Sequence, residues 1–93
     1  MYTSITSLPT NEASRLIKRL CKHFSHKVDV EFDESSGHVD FPMGSCNMKA
    51  SDDTLTFDIQ ADNPENLQKV QQVISSHADK FARDESLEWE WKQ

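Results

Sequence analysis

The chain has 93 residues, with 10 Lys+Arg against 16 Asp+Glu, a formal net charge of −6, and only 35% hydrophobic residues. A chain this short fills one modest core, so residues 1–93 are read as a single domain, and a catalytic domain plus a separate cofactor domain is excluded. No run of about 18 apolar residues is present, no apolar h-region opens the chain, and two cysteines make no disulfide framework. The expectation is a cytoplasmic protein with free thiols.

Tyr2 to Leu8 mixes Thr, Ser and Ile; it is β-prone, and which face it buries is ambiguous. Pro9 ends it, Thr10 or Asn11 caps a helix, and Glu12 sits in the first turn. Ala13, Leu16, Ile17, Leu20, Cys21 and Phe24 then recur at helical period as one apolar stripe, with Arg15, Lys18, Arg19 and Lys22 on the opposite side. That helix should end near His26. The period next switches to two. Val28, Val30 and Phe32 form one half-buried strand, and Val39 and Phe41 form a second. Cys46, Met48 and Ala50 form a third, and Leu55, Phe57, Ile59 and Ala61 a fourth. Ser35-Ser36-Gly37, Pro42-Met43-Gly44-Ser45 and Ser51-Asp52-Asp53 read as the turns between them, making an antiparallel meander. Asp62-Asn63-Pro64-Glu65 starts a second helix striped by Leu67, Val70, Val73, Ile74, His77, Ala78 and Phe81. Leu87, Trp89 and Trp91 alternate with charged residues as a last strand.

The order is β-α-β-β-β-β-α-β. Every strand of the meander has one apolar face and each helix one apolar stripe. Both helices are therefore placed on one face of one antiparallel sheet, an α+β two-layer sandwich. Leu16, Leu20, Phe24, Val30, Phe57, Ile59, Val70 and Ile74 should be its core. The other sheet face should carry Asp29, Glu31, Asp33, Asp40, Asp58, Glu88 and Glu90 against Lys49 and Lys92. Charge is unevenly spread. Thr10–Lys27 holds five basic residues and one acid, a net of +4, and the remainder has five basic and fifteen acidic residues, a net of −10.

The stretch Leu20-Cys21-Lys22-His23-Phe24-Ser25-His26-Lys27, with Gly37-His38-Val39-Asp40-Phe41, Gly44-Ser45-Cys46, His77 and Trp91, resembles the small bacterial proteins of domain-of-unknown-function family 2218 (DUF2218). The likeness covers nearly the whole chain. The resemblance implies no established activity, and it implies a link to siderophore-interacting, iron-acquisition systems. It supplies no catalytic residues.

His23 and His26 lie three apart on one helix and are neighbours able to share a metal, with Cys21 and His77 as further ligands. The set matches no complete metal motif, and Lys22 and Lys27 disfavour a cation, so no metal and no cofactor are expected. Cys21 and Cys46 point inward, where a thiol behaves as a small apolar group. His77 reads as a core-edge histidine bonded to a backbone carbonyl or water. Gly37 and Gly44 read as turn residues. Trp89 and Trp91 read as core or core rim, with an aromatic wall for a pocket lined by Phe41, Met48, Phe57 and Trp91 as the sharper alternative. The basic helix face, Arg15, Lys18, Arg19 and Lys22, suits an anionic ligand or an acidic protein. Nucleic acid is not expected from a chain of net charge −6 with no aromatic interleaved among those cations.

The residues read as ligand- or partner-binding are thus His23, His26, Lys27, Arg15, Lys18, Arg19, Lys22 and His77, with no catalytic residue assigned. The leading reading is a non-enzymatic binding or accessory module that takes a small molecule or protein partner, with self-association as one form of partnering and no membrane. The alternative is a small enzyme using Cys21 or Cys46 with a nearby histidine. A purely structural interaction domain is the third reading.

Overall fold

The computed structural model describes residues 2–51, 53–81 and 91. In chain order these form β1 (Tyr2–Pro9), α1 (Ala13–Phe24), β2 (Asp29–Phe32), β3 (Ser36–Phe41), β4 (Gly44–Ala50), β5 (Thr54–Ala61) and α2 (Pro64–Phe81). The five strands make one antiparallel sheet in the order β1-β5-β4-β3-β2. Strands β2 to β5 are the meander read from the alternating pattern, and β1 is added beside β5. The strand expected at Leu87–Trp91 lies outside the described residues except for Trp91, whose ring centroid is 6.4 Å from that of Phe57.

Both helices cover one sheet face: α1 packs on β2, β3, β4 and β5, α2 on β1, β4 and β5, and the helices touch each other. The α1 stripe from Ala13 to Phe24 is buried throughout, against Val39, Cys46, Met48, Phe57 and Ile59 from the sheet and Val70 and Ile74 from α2. Of the expected core, only Val30 is half-buried, because β2 is a four-residue edge strand with a neighbour on one side. The space expected to form a pocket beside Met48 and Phe57 is instead filled by this core.

Register decides the face of β1. Leu8 pairs with Leu55 and enters the core, so the two-residue period carries Thr6 and Ser4 inward, opposite Phe57 and Ile59, and sends Ile5 outward opposite Asp58. The buried Ser4 hydroxyl accepts a hydrogen bond from the Gln71 amide at 3.2 Å. The Thr6 hydroxyl is buried with no partner among the described residues.

Local polar bonds set the ends of the elements. The Asp33 carboxylate accepts the backbone N–H groups of Ser35 and Ser36 at 2.9 and 2.8 Å, and Asp33 N–H donates to Ser36 O. This closes the β2–β3 turn two residues earlier than the sequence suggests. Gly37 is therefore a strand residue and not a turn residue. A Cβ there would stand 2.7 Å from Cys21 Sγ and 3.2 Å from Ile17 Cγ2, so glycine lets α1 approach β3. Gly44 likewise opens β4 after a two-residue Pro42-Met43 turn, pressed against the Gln60 carbonyl and the Val70 side chain. Asn63 caps α2 by accepting the Asn66 N–H at 2.8 Å, and Pro64 takes the first helical position.

Candidate functional site

The α1 stripe fixes the opposite face of that helix in solvent. Arg15, Lys18, Arg19, Lys22, His23 and His26 project from it along a groove of about 580 Å³, whose far wall is Phe81 at the end of α2. Six of the eight residues selected from sequence thus line one concavity. The remaining two flank it. His77 lies behind His23 on α2, and Lys27 lines a neighbouring hollow with His26, Asp29 and Asp40.

The cations are not equivalent. Arg15 is held in a bidentate pair with Glu12, at 2.9 and 2.7 Å, and also donates to the Phe81 carbonyl at 3.4 Å. It tethers the two helices, and Glu12 offsets its charge. Among the described residues Lys18, Arg19 and Lys22 form no salt bridge, so their charge faces the groove.

Where the ends of α1 and α2 meet, rings accumulate. His23 is 4.8 Å from His77 between ring centroids, 5.5 Å from Phe24 and 5.6 Å from Phe81. Phe24 in turn meets Phe41 edge-on at 5.0 Å. His77 Nδ1 bonds the Val73 carbonyl at 2.7 Å, which makes Nδ1 the protonated nitrogen and fixes the ring. His23 is held below its ordinary pKa by desolvation first, then by the positive potential of His77, Lys27, Lys80 and His26. The positive potential of those neighbours, unlike desolvation, distinguishes the sign of a ligand and suits an anion better than a metal ion. Among the described residues no group of three or more His, Cys, Asp or Glu is arranged to hold a metal.

The thiols sit elsewhere. Cys21 and Cys46 are both fully buried and free, on the sheet side of α1 and the helix side of β4. Burial pushes the Cys21 thiol up to about 11. Cys46 is raised further, by burial first and then by Cys21 and Asp58. A nucleophilic cysteine needs access and a depressed pKa, and neither thiol has them.

A second concavity, about 570 Å³, lies on the helix-free face of the sheet. Strand register builds it as a row across all five strands: Ile5, Asp58, Asn47, His38 and Glu31. His38 Nδ1 is 2.6 Å from Asn47 Oδ1 and its Nε2 is 2.8 Å from Asp40 Oδ1. Two acceptors favour the doubly protonated ring. The Asn47 bond above all, then the bond to Asp40 and the charges of Asp40 and Glu31, hold His38 above its ordinary pKa, although desolvation opposes them. His38 is not among the residues that the sequence pattern marks as a site. Its outward parity on β3 was visible, but its partner Asn47 follows from pairing across a turn.

The architecture defines a class first: a two-layer α+β sandwich with a cationic groove on its helical side and a histidine-centred acidic row on its bare sheet. A family profile described as "Uncharacterized protein conserved in bacteria (DUF2218)" matches residues 6–92, and the chain belongs to that family. Its fold matches the NMR structure of PA4090 from Pseudomonas aeruginosa with a TM-score of 0.84 and 33% sequence identity, over 99% of this chain and 96% of that one. No curated protein matches the sequence.

Proposed function

We propose that this protein is a non-enzymatic binding module whose working surface is the α1–α2 groove and whose ligands are anionic. The observation that carries this reading is the gathering of Lys18, Arg19, Lys22, His23 and His26 along one concavity. Both thiols, by contrast, are packed into the core. Oriented cations in a concave surface attract and position anions more effectively than the same charges scattered. The iron-handling context implied by the family resemblance is compatible with this site, because carboxylate and catecholate iron ligands are oxyanions.

Titration with inorganic phosphate, followed by backbone amide shifts, tests the reading. Phosphate should move the amides of residues 18–26, and the Lys18→Glu/Lys22→Glu variant should lose the response. Shifts spread evenly over the molecule, or retained in the variant, would refute it. A parallel titration with ferric citrate addresses the iron context; shifts no larger than those from citrate alone would remove it.

A further inference from the structure

The groove is cationic on its α1 side but ends in aromatic rings. Phe81 and His23 stand edge to face at 5.6 Å, and His77 supports His23 from behind at 4.8 Å. Inorganic phosphate would use only the first of these features. A ligand matched to the whole groove has a carboxylate for the lysines and arginine and a flat apolar body for the rings, which favour offset or edge-on aromatic contact.

His23 adds a second consequence. The groups that face it are His26, Lys27, Lys22 and Arg19 from α1 and the turn after it, and His77 and Lys80 from α2. All of these are cationic or become so on protonation. In the free protein desolvation first, and then His77, Lys27, Lys80 and His26, oppose a proton on His23. A bound carboxylate reverses that local balance, because an opposite charge within about 4–6 Å favours the charged imidazole. Linkage then requires the ligand to bind more tightly when His23 is protonated.

We propose that the α1–α2 groove binds small aromatic carboxylates, with the ring against Phe81 and His23 and the carboxylate among Lys18, Arg19 and Lys22, and that binding draws a proton from solvent onto His23. The proposal rests on the anion-binding reading above and goes further by naming the ligand class and its proton coupling. No covalent bond is made or broken; the buffer supplies the proton and recovers it on release.

Benzoate and acetate are the probes, both followed by NMR on the intact chain. Benzoate should bind several-fold more tightly than acetate, and Phe81→Leu, which keeps an apolar side chain there, should narrow that gap. The His23 ring resonances, titrated with and without saturating benzoate, should show the pKa rising on binding, by about one unit for a tenfold change in affinity. Benzoate affinity should accordingly rise between pH 8 and pH 5.5, and His23→Gln should flatten that dependence while leaving measurable binding. Equal affinity for acetate and benzoate, an unmoved His23 pKa, or a pH dependence that survives His23→Gln would overturn this proposal and leave the anion site standing. If benzoate, acetate and phosphate all fail to perturb residues 18–26, the anion-binding reading falls and this proposal falls with it.

Discussion

His38 shows how much a single side chain depends on its neighbours' register. Its two nitrogens each face an oxygen, Asn47 Oδ1 and Asp40 Oδ1, so a neutral ring must leave one nitrogen opposed to an acceptor unless the Asn47 amide turns over. The folded state therefore binds this proton more tightly than the unfolded chain, whose histidine titrates near 6.5. The sign follows from linkage. The contribution to stability is complete below pH 6.5 and is lost as pH rises through the higher folded pKa. Urea midpoints at pH 5.5 and pH 8.5 should fall more for wild type than for His38→Gln, and Asn47→Ala should lower the His38 pKa measured by NMR. Equal falls in the two proteins would show that the ring is not proton-linked to folding. The cysteines give the opposite case, because their chemistry is suppressed by burial. With Cys21 pushed up to about 11 and Cys46 beyond it, neither should react with a thiol reagent at pH 8 until the protein unfolds. Fast labelling of either cysteine in the native state would reopen the thiol-enzyme alternative. The inward placement of both thiols was legible from stripe and alternation. The His38 cluster was not, since Asn47 is nine residues away and meets it only through strand pairing.

Among the elements, α1 approaches β3 closely at Gly37. Gly37 has Cys21 Sγ and Ile17 Cγ2 where its Cβ would be, so Gly37→Ala should destabilise the fold by about 1–3 kcal/mol through overpacking. Cys21→Ala removes the nearer of those two atoms. The double variant should then cost less than the sum of the two single variants, as contacting residues generally couple. Strict additivity in denaturant titrations would mean that the helix does not seat on that glycine. Following two serines, Gly37 reads from sequence as a turn residue. The Asp33 side chain captures the Ser35 and Ser36 amides and closes the turn earlier, a tertiary outcome that composition does not reveal. The helices were readable because their apolar stripes have a single solution. Strand β1 was not, because Ile5 competes with Leu8 for the core. Pairing with β5 resolves that in favour of Leu8, at the expense of burying Thr6 and Ser4.

For the molecule as a whole, the core and the proposed binding surface fall on opposite sides of the same helix. The inner side of α1 is core. Leu20 is fully buried there, and Leu20→Ala should cost about 2–5 kcal/mol, with a loss near zero contradicting its position. The outer side carries Arg15, paired with Glu12, and the exposed Lys18, Arg19 and Lys22. Lys18 and Lys22 are exposed and, among the described residues, form no salt bridge. Exposed charges of this kind contribute little to folding. Reversing both to Glu should therefore leave the denaturation midpoint nearly unchanged. The effect on binding should differ. The segment Thr10–Lys27 has a net charge of +4 within a chain of net −6, so under the proposed function an anionic ligand or acidic protein should be attracted to one side of the molecule and repelled elsewhere. Such steering acts mostly on association rate and fades as the Debye length shrinks to about 8 Å at physiological ionic strength. Wild-type binding to an acidic partner, or self-association through this face, should weaken from low to physiological salt, and the Lys18→Glu/Lys22→Glu variant should show neither the binding nor the salt dependence. Sedimentation and binding measured at two salt concentrations decide the matter. Salt-independent association, or an affinity untouched by the double reversal, would reduce the basic side of α1 to a solvated helix face.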